Sequence, residues 1–177
     1  MLACFAASCG ARDQTILAQL SALQGPRVVV LAAALIATAA TAALAGWFGA
    51  GLAIGMTPET RTMFAALALV LSGAEMLVLR AARAPAEPTR SVFAALIVIA
   101  AQQITDATRF LILALAVGTV APVPAALGGA FGAGAALAVG WAVPQLAGDP
   151  RVRLGRRLAG GLLLLIGSVL GARIAIG

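Results

Sequence analysis

Long apolar stretches separated by short polar breaks run along most of this chain. A membrane-spanning helix needs about 20 predominantly apolar residues, and five stretches reach that length. They are 28–50, 62–80, 91–117, 123–146 and 157–176. Apolar and polar residues do not alternate within them, so the pattern predicts helices rather than the strands of a membrane β-barrel.

A sixth stretch, residues 2–23, is less apolar because it contains Arg12, Asp13 and two glutamines. Composition favours a membrane environment for all six, since 62% of the residues are hydrophobic and 10% are charged. A soluble domain carries about 25% charged residues and has too little interior to bury such an apolar excess. The sequence therefore predicts an all-α polytopic membrane protein with six transmembrane helices.

An internal repeat is the reason for treating residues 2–23 as a span. Three sets of residues recur in order and at nearly equal spacing. These are Asp13-Gln14-Thr15 with Asp106-Ala107-Thr108, Gly46-Trp47 with Gly140-Trp141, and Gly73 with Gly167. We predict two three-helix repeats, 1–83 and 91–177, joined by a cytoplasmic linker at 84–90. With three spans each, the second repeat enters the membrane inverted, as in many secondary transporters.

Arginine distribution predicts the orientation. The net charge of +6 comes from arginines that cluster between apolar runs, which indicates membrane topology rather than a nucleic-acid partner. One side would hold Arg27, Arg80, Arg83, Arg90, Arg151, Arg153, Arg156 and Arg157, and the other Arg61 and Arg173. The positive-inside rule then places both termini outside the cytoplasm. The lysine-free, alanine-rich composition suggests a bacterial inner membrane.

Four charged residues fall inside the first and fourth predicted spans, namely Arg12, Asp13, Asp106 and Arg109. Each would cost about 2.5–3.5 kcal/mol at the centre of a lipid-facing helix, so they should face the interior of the bundle. The two aspartates occupy equivalent positions, and inverted symmetry would bring them to one central site. They could bind a translocated cation or proton, or they could form two buried ion pairs with the arginines that only fix helix packing.

Other polar residues could join this site. Gln103 and Arg109 lie one helical turn to either side of Asp106, so Arg109 can pair with it. Thr15 and Thr108 each follow an aspartate by two residues, and they could join only where the helix is locally unwound. Gly10 would ease such a break. Glu75 has no charged residue within one turn, and we expect it to lie towards a helix end, away from the site.

Both repeated segments resemble a known signature. Asp13-Gln14-Thr15-Ile16-Leu17 and Asp106-Ala107-Thr108-Arg109-Phe110 resemble the motif of the Golgi-type manganese and calcium/proton exchangers, in the lysine-exporter superfamily. That family has two three-helix halves, each with Glu-x-Gly-Asp-(Lys/Arg)-(Ser/Thr) in its first helix. Here Gly10 and Gln103 stand where the family has its glutamates.

The resemblance implies a site for a transported manganese or calcium ion. Its candidate ligands are Asp13, Asp106, Gln103, Thr15 and Thr108, with Arg12 and Arg109 as nearby charge partners. The two arginines cancel the two aspartates, whereas a divalent ion needs uncompensated carboxylates. The fold is thus better supported than the ion chemistry.

The leading hypothesis is a secondary transporter of the cation/proton exchanger type with a degenerate ion site. Two alternatives stay open: a structural or regulatory partner of another membrane protein that no longer transports, and an exporter of a small organic solute. A charge-neutral centre fits a zwitterion better than a bare divalent ion. No nucleophile-and-base arrangement indicates an enzyme, and no cofactor is expected. Expected partners are the lipid bilayer, the cargo, and a second copy or another membrane protein.

Overall fold

The computed structural model describes residues 1–78 and 91–176, and within these ranges all regular secondary structure is helical. The helices are α1 Leu2–Ser8, α2 Arg12–Gln24, α3 Val28–Ile54, α4 Pro58–Val78, α5 Val92–Gln103, α6 Ala107–Thr119, α7 Pro122–Ala142 and α8 Pro150–Ile176, with a 3₁₀ turn at Pro144–Gly148. The predicted linker 84–90 and Arg80, Arg83 and Arg90 lie outside the described residues. The prediction of an all-helical chain is confirmed for the part described.

Four helices, α3, α4, α7 and α8, are long and apolar enough to cross a membrane. The pair α5–α6 also passes that test when taken together, although it bends by 57° at its break. The described residues therefore contain four such helices, or five if the bent pair is one span. These helices indicate a multi-pass membrane protein. The segment α1–α2, predicted as a sixth span, is not among them.

Two predicted spans are interrupted, where the sequence patterns suggested single helices over 2–23 and 91–117. Between α1 and α2, Gly10 has a φ of 73°, a conformation that glycine adopts without a Cβ clash. Between α5 and α6 the helix stops at Gln103, and Asp106 starts the next one by accepting a hydrogen bond from the Thr108 N–H at 3.1 Å. Such side-chain capping replaces the hydrogen bonds that a continuous helix would make. Local unwinding thus occurs in both signature segments.

The helices pack in a reciprocal pattern. Helix α3 packs against α7, and α4 packs against α8. Helix α3 also contacts both α5 and α6, while α7 contacts both α1 and α2. Each interrupted pair therefore lies against the long helix of the other half of the chain. A buried cluster that includes Leu17, Ala34, Ile99 and Leu137 joins α2, α3, α5 and α7.

Two glycines allow α4 and α8 to approach each other closely. A Cβ at Gly73 would lie 2.5 Å from the Gly160 carbonyl oxygen, and one at Gly167 would lie 2.7 Å from the Ala66 carbonyl oxygen. Both distances are too short for any side chain. Ala66 and Gly73 are spaced along α4 as Gly160 and Gly167 are along α8, so the two contacts are reciprocal. Small residues permit such backbone contact between membrane helices.

Replacing Gly73 or Gly167 by leucine should destabilise the α4–α8 contact, because overpacking costs about 1–3 kcal/mol. We expect the unfolding midpoint in detergent to fall by about 2–10 °C. A thiol-reactive dye can report the exposure of Cys4, which is buried and free, in a Cys9→Ala background. The control is Gly161→Leu on the same helix, where a Cβ would meet nothing within 4 Å. An equal loss of stability in the control would contradict this packing interpretation.

Candidate functional site

The two interrupted helices bring one aspartate each into the interior. Asp13 lies in the first turn of α2, and Asp106 is the residue that caps α6. Only 2% of Asp13 and 4% of Asp106 is exposed. Both carboxylates therefore lie among protein groups, as predicted from the free energy of placing a charge in lipid.

Gln103, at the end of α5, connects the two aspartates. Its side-chain amide nitrogen donates to Asp13 Oδ2 at 2.9 Å and to Thr38 Oγ1 at 2.8 Å. Its amide oxygen accepts a hydrogen bond from Arg109 Nη2 at 2.7 Å. An acceptor on one side and a donor on the other fix the direction of the amide. The sequence placed Gln103 beside Asp106, but its side chain reaches across to α2 instead.

Arg109 extends from α6 towards α3 and is buried. Its Nη1 lies 3.8 Å from Asp106 Oδ2, which is the ion pair predicted from their spacing. Its Nε donates to Thr41 Oγ1 at 3.1 Å, and its Nη2 donates to Gln103 and to the Thr38 carbonyl oxygen at 3.4 Å. Nη1 is buried and, within the described part of the chain, has no hydrogen-bond acceptor. The guanidinium group thus holds α3, α5 and α6 together.

Thr38 and Thr41 on α3 belong to this network, and the sequence analysis did not find them. Thr41 Oγ1 donates to Gln103 Oε1 at 3.0 Å, in addition to its contacts with Arg109. The sequence gives only a weak indication of their role. Thr38 and Thr41, three residues apart, carry hydroxyl groups in a 27-residue helix that is mostly alanine, valine and leucine. We call Asp13, Thr38, Thr41, Gln103, Asp106 and Arg109 the central cluster.

Thr15 and Thr108 were predicted as ligands, but their hydroxyls have other partners. Thr15 Oγ1 donates to the Arg12 carbonyl oxygen at 2.9 Å, within its own helix. Thr108 Oγ1 shares a hydrogen bond of 2.8 Å with Ser8 Oγ at the end of α1. Of the five predicted ligands, hydrogen bonds join Asp13 and Gln103 to Arg109, and the ion pair of Arg109 adds Asp106. The two threonines lie at the edge.

Arg12 does not pair with Asp13. The two ion pairs found among residues 1–78 and 91–176 are Asp106–Arg109 and Glu75–Arg156, and neither includes Arg12. Adjacent helical residues point in different directions, and Arg12 is only partly buried. Its electrostatic influence falls on Glu75.

Glu75 and Arg156 form a buried ion pair that the sequence analysis missed. Arg156 Nη2 lies 2.6 Å from Glu75 Oε2, and Arg156 also donates to the Ala7 and Met76 carbonyl oxygens at 3.2 Å. Glu75 lies in the last described turn of α4 and outside the central cluster, as expected, but its burial and its ion pair with Arg156 were not expected. Arg156 was assigned to a loop at 147–157, but α8 already begins at Pro150. Its side chain turns inward from the first turns of that helix.

An open cavity of about 510 Å³ lies between α2 and the 3₁₀ turn. Polar side chains along it are Thr15, Gln19 and Gln145. None of the described residues that line it belongs to the central cluster. It lies towards the loops that were predicted to be cytoplasmic.

The central cluster does not fit a divalent cation. Manganese and calcium take several oxygen ligands, with carboxylates that offset their charge. The described residues contain no group of three or more His, Cys, Asp or Glu side chains that could hold a metal ion. Both carboxylates already accept hydrogen bonds, and the Arg109 guanidinium lies between the positions of Asp106 and Gln103.

Comparison with protein-family models, curated proteins and solved structures found no match to this chain. Its fold and site define a multi-pass helical membrane protein with a buried polar cluster at two helix breaks. Membership of the exchanger family stays a prediction that rests on the residues quoted above.

Replacing Gln103 by leucine should remove the link between the aspartates. A buried Asp13 oxygen and an Arg109 nitrogen would each lose a partner, at about 1–3 kcal/mol apiece. We expect a clearly lower unfolding midpoint in detergent. Gln102→Leu is the matched control, because Gln102 is only partly buried and lies outside the central cluster. Equal stability of the two variants would contradict the bridging role of Gln103.

Proposed function

We propose that this chain is a secondary membrane transporter built from two inverted halves of three spans. The spans would be α1–α2, α3 and α4 in the first half, and α5–α6, α7 and α8 in the second. Each half then begins with an interrupted helix and continues with two long ones. The short, polar α1–α2 segment would cross the membrane inside the bundle, where Asp13, Ser8 and Cys4 are buried.

The reciprocal packing supports this arrangement. A two-fold relation between the halves would pair α3 with α7 and α4 with α8, and both pairs are in contact. The same relation would place Gly73 and its contact with α8 onto Gly167 and its contact with α4. The internal sequence repeat matches the same two glycines.

One observation carries the functional proposal: two aspartates from two interrupted helices belong to one buried cluster, Asp13 by a hydrogen bond to Gln103 and Asp106 by its ion pair with Arg109. Secondary transporters place their substrate and coupling-ion sites at such breaks, between the repeats. Ionisable residues inside a membrane bundle mark ion and proton pathways. A carboxylate can release a proton when it binds a cation, and this reaction couples the two fluxes.

The proposed activity is exchange of a cation for protons. Manganese or calcium as the cargo is what the family resemblance predicts, and the donor set described above argues against either ion. The proposal therefore rests on the buried aspartates and the interrupted helices, not on a metal site.

Export of a small organic solute is a second candidate, favoured by one contact. Among the described residues, buried Arg109 Nη1 has no hydrogen-bond acceptor, and a carboxylate group of a zwitterion is a natural acceptor for guanidinium. The zwitterion's ammonium group would then lie at an aspartate. Amino acids should therefore be included in any transport assay.

Orientation can be tested by cysteine labelling of intact cells. In a Cys4→Ala, Cys9→Ala background, a cysteine introduced at exposed Gln145 should react with an impermeant maleimide only after the membrane has been permeabilised. A cysteine at exposed Glu59 should react from outside, because α4 begins on the opposite side. The positive-inside rule gives these expectations. Labelling of both positions from the same side would contradict the proposed topology.

Flux in proteoliposomes tests the transport activity. Wild-type protein should couple a proton flux to a cation gradient, and Asp13→Asn and Asp106→Asn should each reduce the rate by at least about tenfold, as expected when a transport carboxylate is lost. Glu59→Gln is the matched control, since Glu59 is exposed at the start of α4. Manganese, calcium, sodium and amino acids should be tried in turn.

No flux of any of these by folded wild-type protein would overturn the proposal. The non-transporting partner would then be the better interpretation, with Asp106→Asn affecting stability or assembly only.

A further inference from the structure

The central cluster contains an unequal number of charges. Two carboxylates, Asp13 and Asp106, share it with one guanidinium group, Arg109. With all three ionised, the cluster carries one net negative charge.

The charges next to the cluster form a separate group. Glu75 lies within electrostatic range of Asp106, but its charge is offset by Arg156 at 2.6 Å. Arg12 is the remaining positive charge of this group. It is only partly buried, acts on Glu75, and makes no ion pair with Asp13 or Asp106 among the described residues. The count of one net negative charge is therefore made for the buried cluster alone.

Arg109 is a fixed part of the cluster. Its guanidinium group remains protonated at any physiological pH. Its hydrogen bonds to Thr41, Gln103 and the Thr38 carbonyl oxygen hold it in place from three directions. It cannot leave as a proton or cargo does, so it acts as a resident positive charge.

We propose that Arg109 is the specificity-determining residue of this site and restricts the cargo to a single positive charge. This inference rests on the proposed transport function. A monovalent cation would neutralise the ionised cluster, whereas a divalent ion would leave one excess positive charge in a region with little water. Exchange would proceed one for one: a carboxylate releases a proton to one side, the cation takes its place, and no net charge crosses.

Two kinds of cargo share this chemistry, an alkali-metal ion and a protonated primary amine. Both can bind the oxygen atoms of Asp13, Thr38 and Thr41, and the amine can also donate hydrogen bonds to them. A transport assay with sodium or potassium in one arm and methylammonium in the other distinguishes the alkali-metal ion from the amine.

Two substitutions change the charge of the cluster by the same amount in different ways. Arg109→Gln removes the positive charge, and Gln103→Glu adds a negative charge with almost no change of shape. Either one gives a net charge of minus two in the cluster. The glutamate would also stand 2.9 Å from Asp13, where the Gln103 amide nitrogen is now, as a second carboxylate ligand. Gln102→Glu adds the same negative charge one residue away, outside the central cluster, and serves as the control.

The experiment compares these proteins in proteoliposomes loaded with a pH indicator, under gradients of sodium, potassium, methylammonium, manganese or calcium. Wild type and Gln102→Glu should exchange protons for a monovalent cation and not for manganese or calcium. At least one of Arg109→Gln and Gln103→Glu should gain manganese or calcium exchange by about tenfold or more, as electrostatic compensation predicts. In detergent, manganese should raise the unfolding midpoint of that variant and leave wild type unchanged.

The remaining outcomes overturn the inference. Wild-type exchange of manganese or calcium, or exchange of zwitterions alone, would leave transport standing and refute the role given to Arg109. Monovalent exchange by wild type, with no divalent exchange or binding by either charge variant, would refute it as well. Absence of every flux in wild type and in all variants would instead refute the transport function itself, and this inference with it. Folding is checked for each protein by its unfolding midpoint, and Gln103→Glu replaces Arg109→Gln if the latter does not fold.

Discussion

Hydrogen bonding at the two helix breaks is the constraint on which this fold depends. In lipid every backbone N–H and C=O must find a partner inside the protein, and an interrupted helix leaves several of them free. Side chains supply these partners here. Gln14 Oε1 accepts from the Gly10 N–H at 2.6 Å, Asp106 Oδ2 accepts from the Thr108 N–H at 3.1 Å, and Arg156 donates to the Ala7 carbonyl oxygen at 3.2 Å. Several of the buried polar residues, such as Gln14 and Asp106, lie at the breaks for this reason.

The same contacts join distant parts of the chain. Arg156 on α8 bonds to the end of α1 while it pairs with Glu75 on α4. Ser72 on α4 donates to the Ala107 carbonyl oxygen at 2.9 Å, at the start of α6. Breaking one partner of a buried ion pair costs about 3–5 kcal/mol, so this pair is a strong tie between the proposed halves. Rocking of one half against the other would have to move or exchange these contacts.

Local patterns in the sequence predicted the helices and much less of the site. The lengths of the apolar stretches predicted the ends of α3, α4 and α7 to within a few residues. The spacing of Asp106 and Arg109 predicted their ion pair. The arginines after Pro150 were assigned to a loop, because a charged helix end resembles a loop in composition. Glu75–Arg156 depends on how α4 crosses α8, so no local pattern contains it. The six spans and the inverted repeat stay predictions that reciprocal packing supports.

The departures from the exchanger signature make physical sense when taken together. Two aspartates without a nearby cation would repel each other in a region where water cannot screen them. Gly10 and Gln103, in place of two further acids, remove negative charge, and Arg109 adds a positive one. Gln103 then has both a carboxylate and a guanidinium group to bond, and Gln14 fills the space beside Gly10. A cluster with one net negative charge needs less compensation than the family's set of acids would, and this difference is the physical basis of the monovalent cargo that we propose.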